Sequence, residues 1–429
     1  MGFPLQKFGR ALGDETVFAV LMVAASSLSF IKSISLAMIF VPEQFGLYIS
    51  SVGIATLTSV LVSFGLIEST TKLYPHMYIM SDMAGIRSHM RRVISVLALR
   101  IVALVVVAVA VKFVLPELLQ SLSYLTIVLV GGLSIAIGAL LLMASLVRAI
   151  GSVRMLLMFA FMRGLFPLCL SLPTALHVSW HYVIVAEIVA TWIVFVVTSR
   201  WSRKFNHPPS FDTRSELDET SGKGGFLLYI AGLSSTSITY GSRSLVAASY
   251  GTAVAGAFGT IGIIQQMGTM LGGVLAQKLG PTLIKDAATG NMRLWRIGLL
   301  ALLMILFSAG ATVCLVGSFY VPFFAKFWAS YGIPPELLIL VGVSLCLPIN
   351  LVFQFALIAR NDEKTILYGS IGAAVLCYLG FTITILMDWG LSGFVVSVIA
   401  ADMFQFALLG AKLIKPSQII KALIEKNKT

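Results

Sequence analysis

The sequence predicts an all-α membrane protein whose twelve transmembrane helices form two pseudo-symmetric bundles of six. Composition, continuous apolar segments and the placement of the cations lead to this prediction. Hydrophobic residues make up 58% of the 429 residues and charged residues only 11%, whereas a soluble domain has roughly 25% charged residues. The apolar runs do not alternate at every second position, which favours helices over the strands of a membrane barrel.

Each apolar segment approaches or exceeds the ~20 residues that a helix needs to cross a bilayer. The first lies between Thr16 and Phe40. It is longer than the roughly 7–15-residue apolar stretch of a signal peptide, so we expect a retained helix. In chain order the predicted spans are 16–40, 46–69, 93–115, 122–147, 155–173, 179–199, 225–249, 254–277, 297–320, 337–359, 365–387 and 390–411.

The cations predict the orientation of these spans. Both termini and every second connection together contain 24 Lys and Arg residues, whereas the other connections contain only Lys112 and Lys326. By the positive-inside rule, both termini are expected in the cytoplasm. Most of the net charge of +12 is then a consequence of topology, and no nucleic-acid partner is needed to explain it.

The longest polar connection divides the chain into two lobes that resemble each other. In both, a helix ends in a tight outer turn with an aromatic residue after a small one, and Gly46 and Gly256 are equivalent with an offset of 210. Internal repeats are common in transporters, with the substrate site between them. The predicted units are a first lobe at 1–199, a cytoplasmic linker at 200–224, a second lobe at 225–415 and a basic tail at 416–429.

The stretch FVPEQFGLYISSVGIATLTSVLVSFGLIESTTKLYP (residues 40–75) resembles the opening of polysaccharide exporters. These belong to the multidrug/oligosaccharidyl-lipid/polysaccharide (MOP) superfamily, and Wzx-type O-antigen flippases are the most similar members. The resemblance implies two MATE-like six-helix bundles around a central cavity in a bacterial inner membrane. It implies transport of an undecaprenyl-diphosphate-linked oligosaccharide, with membrane lipids and other polysaccharide assembly proteins as further partners.

Two cations lie deep inside predicted spans, where each costs roughly 2.5–3.5 kcal/mol on insertion scales. The offset of 210 places Arg243 one position from the equivalent of Lys32, and hydroxyl groups accompany both: Ser29 near Lys32, and Thr239 and Tyr240 near Arg243. We expect these faces to line a wet cavity that binds the anionic headgroup. The alternatives are snorkelling of Lys32 to the outer surface and a structural ion pair of Arg243.

Arg163 is a third cation within a span, four residues before Pro167. A proline kink would tilt this helix towards the cavity, where Arg163 could also bind the headgroup. The alternative is a structural ion pair between Arg163 and Glu187, which lies in the next span.

Three acids within or near the spans are candidates for ion coupling or gating: Glu68, Glu187 and Asp402. Glu68 precedes Lys72 by four residues, a spacing that also favours an ordinary salt bridge on one helix face. Asp402 lies in the middle of the last span, where it is either an ion site or a group that bonds neighbouring helices.

Several other function classes lack support in the sequence. The four cysteines have no CxxC spacing, and His177 and His181 have no acid cluster beside them, so we predict neither a metal nor a cofactor. No Walker A, GxSxG or HExxH motif occurs, so we do not expect an enzyme.

Three alternative functions stay open. A cation-coupled multidrug exporter would need acids in the cavity, but predicted helices 1 and 7 carry a Lys and an Arg. A membrane-embedded O-antigen polymerase would be expected to have larger outer loops. A lipid II flippase would be expected to have more than twelve spans.

Overall fold

The computed structural model consists of helices and connecting turns, without a strand, in the part of the chain that it describes: residues 5–114, 123–203, 221–288, 294–358, 360 and 362–414. This confirms the all-α prediction. The helices of the first half are α1 (Leu5–Ile39), α2 (Pro42–Ser63), α3 (Leu66–Ile79), α4 (Met83–Val114), α5 (Tyr124–Ile150), α6 (Val153–His177) and α7 (Trp180–Ser202). Those of the second half are α8 (Ser221–Thr236), α9 (Ser242–Tyr250), α10 (Thr252–Ala288), α11 (Leu294–Gly317), α12 (Pro322–Ser330), α13 (Pro335–Ser344), α14 (Asn350–Ile358), α15 (Glu363–Met387) and α16 (Gly390–Ile414).

Local sequence explains several helix ends. Pro42 begins α2, because a proline in the first turn has no N–H that the helix would need. Ser123 caps α5 by accepting a hydrogen bond from the Thr126 backbone N–H. The same helix ends at Gly151, whose φ of 66° is the left-handed conformation that glycine adopts without strain.

Eleven helices of the described residues are long and apolar enough to cross a membrane. The span predicted at 225–249 is not among them; it consists of α8, a π-helical turn at Ser237–Gly241, and α9. With these pieces counted as one crossing, the twelve-span layout holds. The predicted orientation stays a prediction. The predicted tail and most of the linker lie outside the described residues.

The buried side chains of the described residues form three clusters, and one of these joins the two halves. The joint cluster contains Phe45 and Leu133 from the first half together with Phe258 and Phe381 from the second. A second cluster lies entirely within the first half, and a third entirely within the second. The halves therefore share a core towards the end where α2 and α10 begin, which is the outer end in the predicted orientation, and have separate cores towards the other.

The two glycines that the repeat makes equivalent meet where α2 crosses α10. A Cβ atom added to Gly46 would lie 1.7 Å from the Thr252 carbonyl oxygen, and one added to Gly256 would lie 2.1 Å from the Pro42 carbonyl oxygen. Only glycine lets two helix backbones come this close. The repeat thus places the same small residue on both sides of the contact between the lobes.

A second contact between the halves lies at the same end. The Tyr331 hydroxyl, between α12 and α13, donates a hydrogen bond of 2.6 Å to the Ala37 carbonyl of α1. Burial raises the pKa of this hydroxyl, so it remains a proton donor. In the predicted orientation, both contacts close the outer side.

The small residues of α10 do not form a single seam between the halves. Gly256 and Gly259 contact α2, but an added Cβ at Gly268 or Gly272 would meet the Leu345 or Pro348 backbone of the same half. The contact of α10 glycines with α2 is therefore limited to the first two turns of α10, whereas Gly268 and Gly272 pack within the second lobe.

Candidate functional site

Lys32 is neither free in a cavity nor turned to the outer surface. Its Nζ lies 2.6 Å from Glu187 Oε1 of α7, and the two side chains are only 14% and 10% exposed. The Tyr48 hydroxyl of α2 donates a hydrogen bond to the same carboxylate oxygen. The acid offsets the cost of burying the lysine, which explains how the span accepts this charge. We call these three residues the Lys32 network.

This pairing bears on the alternative considered for Arg163. No ion pair between Arg163 and Glu187 is found among the described residues, where Lys32 pairs with that carboxylate. Arg163 is exposed on α6, and its described electrostatic neighbour is another cation, Arg148. It therefore lies apart from the Lys32 network.

Ser29 accompanies the Lys32 network but does not bind it. The described contact of Ser29 is through its carbonyl, which accepts a hydrogen bond of 3.0 Å from the Ser33 hydroxyl. Both serines are partly buried. The Ser33 hydroxyl thus bonds to the backbone of its own helix, as serines within helices often do.

Arg243 has a different environment. Its side chain is 3% exposed and has no ion-pair partner within the described residues. The guanidinium lies over the Tyr240 ring, with 5.2 Å between its carbon and the ring centroid. A Cβ added to Gly262 of α10 would come within 3.2 Å of Nη2, so this glycine provides the space. A buried cation without an acid is costly and calls for an anionic or strongly polar partner.

The two cations lie on opposite sides of the contact between the lobes. The Ser50 hydroxyl of α2 hydrogen-bonds to the Arg243 carbonyl at 3.4 Å. Tyr48 of the same helix bonds to Glu187. Helix α2 therefore contacts both the Lys32 network of the first half and the Arg243 backbone of the second.

The π-helical turn changes which side chains accompany Arg243. From the sequence we expected Thr239 and Tyr240 to accompany Arg243 on the face that lines the cavity. A π turn holds one more residue than an α turn, so it rotates the residues that follow it. As a result Thr239 and Arg243 line a pocket with Ser235 and Ser242, whereas Thr236 and Tyr240 do not.

This pocket, here the Arg243 pocket, has a volume of about 170 Å³ and lies within the second half, between α8–α9, α10, α14 and α16. Its lining includes Asp402, Arg243 and Thr239, which were candidates from the sequence, together with amides that were not. The only sequence signal for these amides is their position within apolar spans. The lining amides are Gln265, Gln266, Asn350, Gln354 and Gln405.

Asp402 lines the pocket from α16. Its backbone carbonyl accepts a hydrogen bond of 3.3 Å from the Asn350 amide, and no ion pair of its carboxylate is found within the described residues. Asp402 and Arg243 therefore contribute opposite charges to the wall of one pocket.

Glu68 lies away from the pocket. It belongs to α3, beyond the break that Phe64 and Gly65 make with positive φ values of 45° and 82°. The Ser63 hydroxyl hydrogen-bonds to its carboxylate at 3.4 Å. The side chain of Lys72 lies outside the described part, so the predicted Glu68–Lys72 pair stays a prediction.

The histidine pair gives no support to a metal centre. His181 stacks on Trp180 with 3.8 Å between ring centroids. Within the described residues, no group of three or more potential metal ligands occurs.

No family model and no curated protein matches the sequence, but solved structures match the fold. The eukaryotic MATE transporter AtDTX14 has a TM-score of 0.62 at 13% identity over 96% of this chain and 97% of its own. The chain has the fold of MOP superfamily transporters. A MOP transporter from Pyrococcus furiosus, whose binding pocket is described as having reversed polarity, has a TM-score of 0.61 at 12% identity over 92% and 93%. The lipid II flippase MurJ, in an inward closed conformation, has 0.58 at 12% over 93% and 88%.

Proposed function

We propose that this protein is a flippase for an undecaprenyl-diphosphate-linked oligosaccharide, an O-antigen or capsule repeat unit, in the bacterial inner membrane. The observation that carries the proposal is Arg243, a buried cation without an acidic partner among the described residues, on the wall of a polar pocket. The shared fold includes a lipid II flippase and a MOP transporter with a binding pocket of reversed polarity.

Arg243 suits a diphosphate for reasons of charge and geometry. A guanidinium presents a planar fork of N–H donors that matches phosphate oxygens, and it stays protonated at every physiological pH. No acid pairs with Arg243 among the described residues. The diphosphate would supply the missing negative charge. The lipid tail would remain in the bilayer while the headgroup passes between the lobes.

Within the Lys32 network, Glu187 would compete with the diphosphate for the lysine. Glu187 Oε1 lies 2.6 Å from Lys32 Nζ. A diphosphate that approaches Tyr48 and Arg243 would compete with the carboxylate for the lysine. Glu187 would then need a proton or another partner, which links headgroup binding to an ion gradient.

Alternating access follows from the way the two cores are arranged. The lobes share one core where α2 and α10 begin and have separate cores at the other end. The headgroup would enter from the cytoplasmic side, between the separate cores. Rupture of the Gly46–Gly256 and Tyr331–Ala37 contacts would then open the outer side.

Arg243→Gln tests this proposal. Hydrogen bonds to charged groups contribute about 1.5–3 kcal/mol, so we expect a roughly 10- to 100-fold loss of affinity for undecaprenyl diphosphate. The thermal midpoint should not fall, because the substitution removes an unbalanced buried charge. Binding is measured with the purified protein in nanodiscs, and flipping with lipid-linked oligosaccharide in proteoliposomes.

The matched control is Arg154→Gln, since Arg154 is exposed at the start of α6, away from the pocket. It should leave affinity and flipping unchanged. Equal losses in both variants, or no binding of undecaprenyl diphosphate to the wild-type protein, would refute the proposal.

A multidrug exporter is the second candidate, and Asp402 favours it. A carboxylate on the pocket wall could attract an organic cation. Multidrug transporters of the MATE family share this fold. Proton- or sodium-driven uptake of an organic cation by proteoliposomes, abolished by Asp402→Asn and unaffected by Arg243→Gln, would favour this function over the flippase.

A further inference from the structure

The Arg243 pocket is lined by side chains that both donate and accept hydrogen bonds. Five amide side chains contribute to its wall, and Thr239, Thr269 and Ser242 add hydroxyls. A carboxamide carries two donors and an acceptor with two lone pairs. Arg243 and Asp402 are the ionisable side chains of this lining. A surface of this kind suits a neutral, hydroxyl-rich group better than a simple ion.

Two polar atoms of the pocket are buried without a hydrogen-bond partner in the described structure, namely Ser242 Oγ and Asn350 Oδ1. A buried polar group without a partner costs about 1–3 kcal/mol, so most such groups have one. The two atoms come from α9 and α14, on different sides of the same pocket. Each is a hydrogen-bonding group of a pocket residue that the described side chains leave unused.

Part of the wall is fixed before any ligand binds. The Gln405 amide donates a hydrogen bond of 3.1 Å to the Ser370 hydroxyl, and the Asn350 amide donates one to the Asp402 carbonyl. Gln405 and Asn350 are 8% and 6% exposed, so their rotamers are restricted by packing. Preorganised polar groups lose less entropy on binding and discriminate more sharply between ligands.

The size of the pocket limits the occupant. The pocket has a volume of about 170 Å³, and a water takes about 30 Å³ in the liquid, so it has room for about six waters. This space suits one small polar ring and excludes a chain of several sugars.

We infer that the Arg243 pocket is a specificity subsite for the single sugar residue next to the diphosphate. This inference rests on the proposed function. Arg243 holds the proximal phosphate at the edge of the pocket, and the amides with Asp402 bind the hydroxyl or N-acetyl groups of that sugar. A site with buried polar groups rejects a ligand that leaves them unpaired. The rest of the oligosaccharide stays outside the pocket, so it is not selected there.

The test compares lipids with and without a sugar. Purified full-length protein in nanodiscs is titrated with undecaprenyl diphosphate and with undecaprenyl diphosphate carrying N-acetylglucosamine, N-acetylgalactosamine, glucose or galactose. The wild-type protein should bind at least one sugar-bearing lipid about tenfold more tightly than the bare lipid, a difference of about 1.4 kcal/mol.

Two variants and one control locate the effect. Gln266→Leu and Gln354→Leu each remove a pocket amide at a partly exposed position. Each should reduce the sugar-dependent difference to less than threefold and leave the affinity for the bare lipid unchanged. Gln44→Leu makes the same change at an exposed position near the start of α2 and should behave as the wild-type protein.

The outcomes separate this inference from the proposed function. If no lipid binds, both fail. If bare and sugar-bearing lipids bind equally well to the wild-type protein, the sugar subsite is wrong and the flippase proposal stands. The subsite is also wrong if Gln44→Leu abolishes the difference as the pocket variants do. The sugar subsite is wrong, too, if sodium ions alone stabilise the protein in a way that depends on Asp402 and all the lipids bind with equal affinity.

Discussion

At the scale of single residues, the two buried cations solve the same electrostatic problem in different ways. Lys32 has an acid at 2.6 Å and a tyrosine hydroxyl on that acid. Arg243 has an aromatic face and a polar pocket, and no acid pairs with it among the described residues. Sequence spacing predicted the depth of both but not this asymmetry, because Glu187 lies 155 residues from Lys32 in the chain.

The Lys32 network predicts a strong coupling between its charges. Glu187→Gln leaves a buried lysine without its counterion, and the loss of one partner of such a pair typically destabilises by about 3–5 kcal/mol. The double variant Lys32→Met/Glu187→Gln should recover most of this loss, because no uncompensated charge remains. Unfolding of the purified variants in detergent, followed by intrinsic fluorescence, gives the coupling energy.

The same substitution at Glu336 provides the comparison. Glu336 is exposed in the first turn of α13, so Glu336→Gln should change stability by less than about 0.5 kcal/mol. If Glu187→Gln proved as mild as Glu336→Gln, the ion pair would not be what makes Lys32 tolerable within the span.

At the scale of helices, the sequence predicted what depends on composition and periodicity. Continuous apolar runs predicted every span, and the offset between Gly46 and Gly256 predicted the repeat. The π-helical turn at Ser237–Gly241 could not be predicted, because no proline or glycine pair marks it and it depends on contacts with other helices. One of these is the hydrogen bond of 3.0 Å from the Tyr378 hydroxyl to the Ser237 carbonyl. The pocket amides were missed for a related reason: they come together only when four helices pack.

The π turn makes a prediction about deletions. A π turn is equivalent to an α turn with one inserted residue, so deletion of the exposed Thr239 should restore an α turn without rotating α8 against α9. The variant should fold, but it should lose the pocket geometry around Arg243. We expect a monodisperse protein on size-exclusion chromatography with at least tenfold weaker binding of undecaprenyl diphosphate.

Deletion of Met403 is the contrasting case. Met403 is an exposed residue of the regular helix α16. Its removal rotates everything on one side by about 100°, since 3.6 residues make one turn, so we expect aggregation. Equal folding of both deletion variants would mean that the turn is not a one-residue insertion.

At the scale of the whole molecule, the distribution of cores determines which conformation the chain adopts. A shared core where α2 and α10 begin holds the lobes together there, and separate cores at the other end leave each lobe stable by itself. On the side of α2 and α8, contacts between the halves persist towards the other end, among them the hydrogen bond of 3.1 Å from the Tyr229 hydroxyl to the Leu61 carbonyl. A molecule built this way can rock about its middle without disrupting either inner core. The contact that tolerates the least added side-chain volume is then the backbone crossing at Gly46 and Gly256.

The Gly46–Gly256 contact therefore predicts how a single methyl group would shift the conformational equilibrium. The added Cβ of Gly46→Ala would lie 1.7 Å from a backbone oxygen of α10, which no side-chain rearrangement can relieve. Overpacking typically costs about 1–3 kcal/mol, and here the cost falls only on the conformation with the outer side closed. We expect a larger population of outward-open molecules, seen as longer distances between spin labels at the outer ends of α2 and α10, and slower flipping. Gly273→Ala changes the same helix where an added Cβ meets nothing within 4 Å, so it should leave distances and rate unchanged. If Gly46→Ala gave the wild-type distance distribution, this crossing could not be the contact that closes the outer side.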